Sequence, residues 1–202
     1  MTKRQQLWAL LLVLLLAPLS LAQTVNYKEY KLKNGLRVIL AEDHNAPTYS
    51  IAVTYNAGSR DEKQGRTGFA HLFEHMMFQG SENVGKGEHL IIVENNGGGA
   101  NGNTTPDRTQ YFETLPANQI DLGLFIEADR MRSLVINQGN LDNQRATVQE
   151  ERRQRVDNQP YGRTFEAVYD LAFDNFSNKH STIGSMDGLN AATVKDGSDF
   201  FR

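Results

Sequence analysis

Cysteine is absent from all 202 residues, which removes disulfides, thiol nucleophiles and cysteine-ligated zinc together. A chain exported without disulfides must rely on its core, and any metal it binds must be held by nitrogen and oxygen. An excess of basic charge is missing too. Twenty-one Lys and Arg stand against 24 Asp and Glu for a net charge of −3, the basic residues are scattered, and the dense run Glu150-Glu151-Arg152-Arg153 mixes signs. Nothing here has the electrostatic footprint of a nucleic-acid partner. The length is enough for one domain with a sizeable core.

The longest apolar run sits at the N-terminus. Lys3 and Arg4 precede the run over residues 7–16, and Ser20-Leu21-Ala22 places small residues where a signal peptidase reads them. This pattern predicts a signal peptide over residues 1–22, cleaved after Ala22, with residues 23–202 forming the domain. The rival reading is a transmembrane anchor, but the run is short for a span, and Pro18 followed by small residues fits a cleaved leader better. With no cysteine at the leader's end, the pattern does not point to a lipoprotein anchor. The expected product is exported, periplasmic or secreted in a bacterium, with no membrane anchor after cleavage.

Residues 27–32 and 36–41 flank Asn34-Gly35 and predict a β-hairpin with a two-residue turn, and the alternation over 49–56 predicts a further strand. A glycine-rich loop from Gly58 to Gly68 leads into a helix over 69–78 that is apolar nearly all round, the pattern of a buried helix. A short helix over 88–95 ends at Gly97-Gly98-Gly99, and two short strands over 100–115 break near Pro106. Helical patterns follow over 119–134, 141–156, 165–173 and 188–202, the last running off the end. There is no regular strand–helix alternation and no internal repeat. The fold class expected is α+β, a mostly antiparallel sheet with helices packed on it.

The most informative stretch is His71-Leu72-Phe73-Glu74-His75. Side chains at i, i+3 and i+4 share one helix face, so two imidazoles and a carboxylate meet there. The imidazoles supply half of a tetrahedral zinc site, and the carboxylate, left free of the metal, can take a proton from zinc-bound water. The order H-x-x-E-H is a zinc-peptidase signature, and a chance match in a chain this long is about one in a hundred or rarer. Catalytic zinc needs a third protein ligand. His44, His89 and His180 sit in polar loops or at helix ends, where exposure is the default, so the better candidates are Glu150 and Glu151.

Around this motif the residues resemble a family. Gly58-Ser59-Arg60-Asp61-Glu62 and the block Gly68-Phe69-Ala70 through Phe78-Gln79-Gly80 are similar to the signature of the pitrilysin/insulinase-type zinc metallopeptidases, which include mitochondrial processing peptidase. The resemblance continues through Asn101-Gly102-Asn103-Thr104, Asp107, Thr109 and Tyr111, and through the helix around Glu151. It implies a metallopeptidase fold, one Zn2+ per chain on His71, His75 and Glu151, and Glu74 as the general base. Of the two glutamates the resemblance to the family's ligand helix favours Glu151, and because one residue of rotation turns a side chain by about 100°, both cannot point at the metal equally. Where relatives often carry a supporting glutamate two turns earlier, this chain has Gln144, which can donate a hydrogen bond but holds no charge.

The chemistry implied is amide hydrolysis, with Glu74 taking a proton from water and returning it to the leaving amine. The resemblance further implies that a peptide substrate adds as a strand along Asn101, Gly102, Asn103 and Thr104. Gly102 stands where many relatives have alanine, a change of little expected consequence if the contacts are main-chain. The family closes its chamber with a second homologous half or subunit, so the chain is expected to be an N-terminal catalytic portion that ends within its first domain. Two other readings fit the motif: a non-catalytic peptide-binding or assembly subunit of the same family, and a structural zinc-binding protein.

Overall fold

The computed structural model describes residues 2–5, 8 and 24–201, so the expected leader lies mostly outside the described residues. Among those described, no helix is long and apolar enough to cross a membrane. The chain forms two compact units, Met1–Ala46 and Pro47–Arg202.

In the first unit, β1 (Lys28–Lys31) and β2 (Arg37–Leu40) pair antiparallel, with Lys31 opposite Arg37. The turn differs from the two-residue one expected. Leu32 donates to Leu36 O at 2.8 Å and Gly35 to Leu32 O at 2.9 Å, leaving a three-residue loop in which Gly35 alone is left-handed, φ 90°. A type I turn followed by a left-handed glycine matches the strand twist as well as a mirror-image turn does.

The second unit is built on a three-stranded antiparallel sheet of order β3-β5-β4, from β3 (Thr48–Tyr55), β4 (Gly99–Thr104) and β5 (Thr109–Pro116). The class is α+β, as the patterning indicates. Strands β4 and β5 form a hairpin closed by Thr105 N to Arg108 O at 2.8 Å, around Pro106. β5 is central, and its alternation buries Thr109, Tyr111, Glu113 and Leu115 toward the helices while Phe112 and Thr114 stay exposed.

The helices are α1 (Phe69–Met76), α2 (Glu88–Asn95), α3 (Ile120–Ser133), α4 (Gln138–Arg152), α5 (Thr164–Ala172), α6 (Met186–Asn190) and α7 (Val194–Phe201). α1 lies against β4 and β5 on one side and α4 on the other, while α3 covers β5 and β3. α1 is buried nearly all round: Phe69, Leu72, Phe73 and Met76 join Leu141 and Val148 of α4, Leu189, Ala192 and Tyr111 in one core. Its first turn is held from outside, because the buried Glu62 carboxylate accepts from Gly68 N at 2.9 Å and Ala70 N at 2.8 Å. Those N–H groups have no intrahelical partner, and a carboxylate there also complements the helix dipole.

α4 starts at an Asn137 cap, whose side chain accepts from Asn140 N at 2.8 Å, and passes into a π turn over Arg153–Asp157. At the junction the buried Arg152 guanidinium forks onto Glu166 of α5 at 2.6 and 3.1 Å and also donates to Gly184 O. The single helix expected over 188–202 is instead two. Thr193 and Asp196 explain the break: Thr193 N donates to Asp196 Oδ2 at 2.9 Å and Asp196 N to Thr193 Oγ1 at 3.2 Å, a reciprocal cap that starts α7 afresh.

Leu72 is fully buried at the centre of the α1 core. Leu72→Ala should destabilise the fold by about 2–5 kcal/mol in denaturant unfolding, and a loss below about 1 kcal/mol would show that this helix is not packed as described.

Candidate metal centre

α1 presents His71 and His75 on the side facing α4, with ring centroids 4.8 Å apart and planes nearly perpendicular. Glu151, in the last turn of α4, points between them: its Oε2 lies 3.7 Å from His71 Nε2 and 3.5 Å from His75 Nε2. One donor atom from each of the three falls within 4.8 Å of the others. These spacings are too long for good hydrogen bonds. They lie slightly above the edges of a tetrahedron around zinc, about 3.3–3.4 Å for metal–ligand bonds of 2.0–2.1 Å.

The electrostatics suit a cation. Burial, with His75 and Arg155 adding to it and Glu151 opposing, pushes the His71 imidazole down to about 4, so the ring is neutral and its lone pair available at neutral pH. The buried His71 Nδ1 has no hydrogen-bond partner. The His75 imidazole beside it, with His71 and Arg155, holds the Glu151 carboxyl below its usual value against the effect of burial. Two imidazole nitrogens and a carboxylate oxygen are a donor set that fits Zn2+.

Glu150 does not enter this cluster. Its carboxylate is exposed and accepts from Arg153 Nη1 at 3.0 Å and Gln154 Nε2 at 3.1 Å, as a neighbour turned about 100° around the helix must. Gln144, two turns before Glu151, is buried and donates to Asn143 Oδ1 at 2.8 Å.

Glu74, also buried, faces β4 rather than α4. Thr104 Oγ1 donates to Glu74 Oε2 at 2.5 Å. Burial pushes the Glu74 carboxyl up from its ordinary value, while the Thr104 hydroxyl and the nearby His75 work the other way. A carboxylate raised toward neutrality beside a cation site is suited to exchange protons with water.

The four β4 residues expected to contact a peptide are divided by strand alternation. Gly102 and Thr104 turn toward α1, whereas Asn101 and Asn103 are exposed on the opposite face. Position 102 is less indifferent than a main-chain contact suggests. A Cβ there would lie 3.1 Å from Glu74 Oε1 and 3.2 Å from the Tyr111 ring, tighter than ordinary contact on both sides.

Two of the spare histidines depart from expectation. His44 is exposed, but His89 is buried and His180 nearly so. His89 stands at the start of α2 between Glu113 of β5 and Glu127 of α3, and His180 packs on Phe176 with Nδ1 3.6 Å from Glu62 Oε2. Sequence position marked them as helix-end or loop residues; their burial is set by tertiary packing. Arg155, which pairs with Glu151 Oε1 at 2.6 Å, went unnoticed in the sequence, although an arginine four positions after a helical glutamate is a readable signal.

The sequence pattern described as Insulinase (Peptidase family M16) matches residues 37–185. The zinc protease PqqE of Helicobacter pylori is 33% identical over 171 residues, covering 84% of this chain and 38% of that protein. The mitochondrial-processing peptidase β subunit of Blastocladiella emersonii is 26% identical over 166 residues, covering 82% and 36%. The crystal structure of a protease from Helicobacter pylori superposes with a TM-score of 0.85 at 33% identity, covering 89% of this chain and 43% of that one. The chain thus spans just over a third of the length of these two curated relatives.

Glu151→Gln should weaken zinc binding by about 100-fold or more, while Glu150→Gln leaves it unchanged, as read by competition with a chelator. The reverse pattern would move the ligand to Glu150.

Proposed function

Because the chain belongs to the insulinase family of peptidases, family M16, we propose that it is the metal-binding part of an exported zinc endopeptidase that hydrolyses peptides or unfolded proteins. His71, His75 and Glu151 would hold the ion, one per chain at this site. When bound there, zinc acidifies a coordinated water and polarises a carbonyl. The observation that carries the reading is the separation of roles on α1: both histidines turn to Glu151, while the glutamate between them turns to β4.

Glu74 is the general base in this reading. With its carboxyl raised by burial, it takes a proton from the attacking water and returns one to the leaving amine. Thr104 Oγ1 holds the carboxylate in place and limits the rise. A carboxylate serving both steps must stand clear of the ligand set, and Glu74 is absent from the group whose donor atoms converge.

The substrate reading rests on β4. Among the described strands it pairs with β5 alone, so its outer edge offers backbone N–H and C=O groups to an extended peptide. A peptide added there passes the face that carries Gly102 and Thr104, beside Glu74. Edge pairing is blind to side-chain identity, which suits unfolded chains. The length of the curated relatives beyond the matched third supports a second homologous half or subunit that closes over this edge. The leader pattern at residues 1–22 supports export to a bacterial periplasm or medium.

In a full-length form assayed on an unstructured peptide, Glu74→Gln should keep its zinc and lose about 10²–10⁴-fold in turnover. Unchanged cleavage would remove Glu74 as the base, and loss of metal would make it a ligand. Thr104→Val deletes the hydrogen bond that lowers the Glu74 pKa, so the acid limb of the kcat/KM profile should move to higher pH. A shift to lower pH would contradict the pairing.

A further inference from the structure

A second cluster of ligating side chains lies under the helix-covered face of the sheet, built from residues that the peptidase reading does not use. His89 of α2, Glu113 of β5 and Glu127 of α3 are each at least 97% buried, and one donor atom from each falls within 4.8 Å of the other two. His89 Nε2 stands 3.4 Å from Glu113 Oε2 and 3.8 Å from Glu127 Oε1. Neither spacing makes a hydrogen bond, and His89 Nε2 and both Glu113 oxygens lack partners.

We propose that His89, Glu113 and Glu127 form a second, structural site for a divalent transition cation such as Zn2+. The spacings repeat those of the first centre, 3.5 and 3.7 Å, with imidazole nitrogen and carboxylate oxygen as donors in both. A carboxylate in a dry interior with neither oxygen hydrogen-bonded is among the costliest arrangements a fold can carry, and a cation between Glu113 and His89 removes that cost. Glu127 is already oriented for the task. Arg130 grips it through both oxygens, Nε to Oε2 at 2.9 Å and Nη2 to Oε1, as an outer partner fixes a ligating carboxylate.

The site would brace the catalytic edge through β5, two residues along the same face from Tyr111. The Arg130 guanidinium stacks on the Tyr111 ring at 4.4 Å, and Tyr111 sits opposite Gly102 on β4, where an added Cβ would crowd both that ring and Glu74. An ion joining α2, β5 and α3 therefore fixes the strand on which the substrate edge is hung.

The competing occupant is a proton: a charged His89 between the two carboxylates would satisfy the same groups without metal. Zinc content of the purified full chain, after dialysis against buffered zinc and removal of free ion, separates the two. Two equivalents per wild-type chain are expected, one in His71→Ala/His75→Ala, and none when Glu113→Gln is added to that pair. The isosteric Glu113→Gln alone should keep one equivalent. With Co2+ as probe, the His71→Ala/His75→Ala chain should show d–d absorption that Glu113→Gln abolishes. A single wild-type equivalent that is lost in His71→Ala/His75→Ala overturns the proposal, as does a second equivalent that survives Glu113→Gln. Both results leave the first centre loaded and involve no activity, so failure here leaves the peptidase reading intact.

Discussion

Along the seam where α1 meets α4, apolar side chains and the candidate metal ligands alternate on the same two helices. Leu72, Phe73 and Met76 close against Leu141 and Val148, and the same packing sets His71 and His75 opposite Glu151. Helical geometry links the two sets, because residues one turn apart share a face and a shift of one residue turns a side chain by about 100°. The seam therefore sets the register of the donor set. Slippage along it would bring Glu150 or Arg152 toward the histidines in place of Glu151.

Charge is used on this seam to hold ends in position. Glu62 ties down the first turn of α1, and Arg152 ties the last turn of α4 to α5 and to Gly184 O. Arg155 then takes the Glu151 oxygen that is turned away from the histidines. Glu151 and Arg152, adjacent in sequence, leave α4 about 100° apart, one to the candidate ligand set and the other to the interior. Between α1 and β4, Glu74 is kept apart from the ligands by its bond to Thr104, so one short helix serves two neighbours with different chemistry.

Much of this was legible in the sequence because it rests on periodicity. The spacing of His71, Glu74 and His75 determines a shared helix face, and the broken pair of strands around Pro106 appears as the β4–β5 hairpin. The reciprocal Thr193–Asp196 cap was also present as a pattern, but continuous helical character masked it. Two kinds of feature were not legible. The burial of His89 depends on α2, β5 and α3 converging, with partners 24 and 38 positions away in sequence. The crowding at Gly102 depends on how closely α1 approaches β4. Both are tertiary facts, and neither helical nor strand periodicity carries them.

The central claim is that α1 and α4 together make a zinc-binding donor set. Anomalous diffraction from zinc-loaded crystals, recorded on both sides of the zinc edge, tests it at the atoms concerned. A peak about 2.0–2.2 Å from His71, His75 and Glu151 is the predicted result. Well-ordered side chains with no anomalous density among them, or a peak ligated by Glu150 in place of Glu151, would contradict the account.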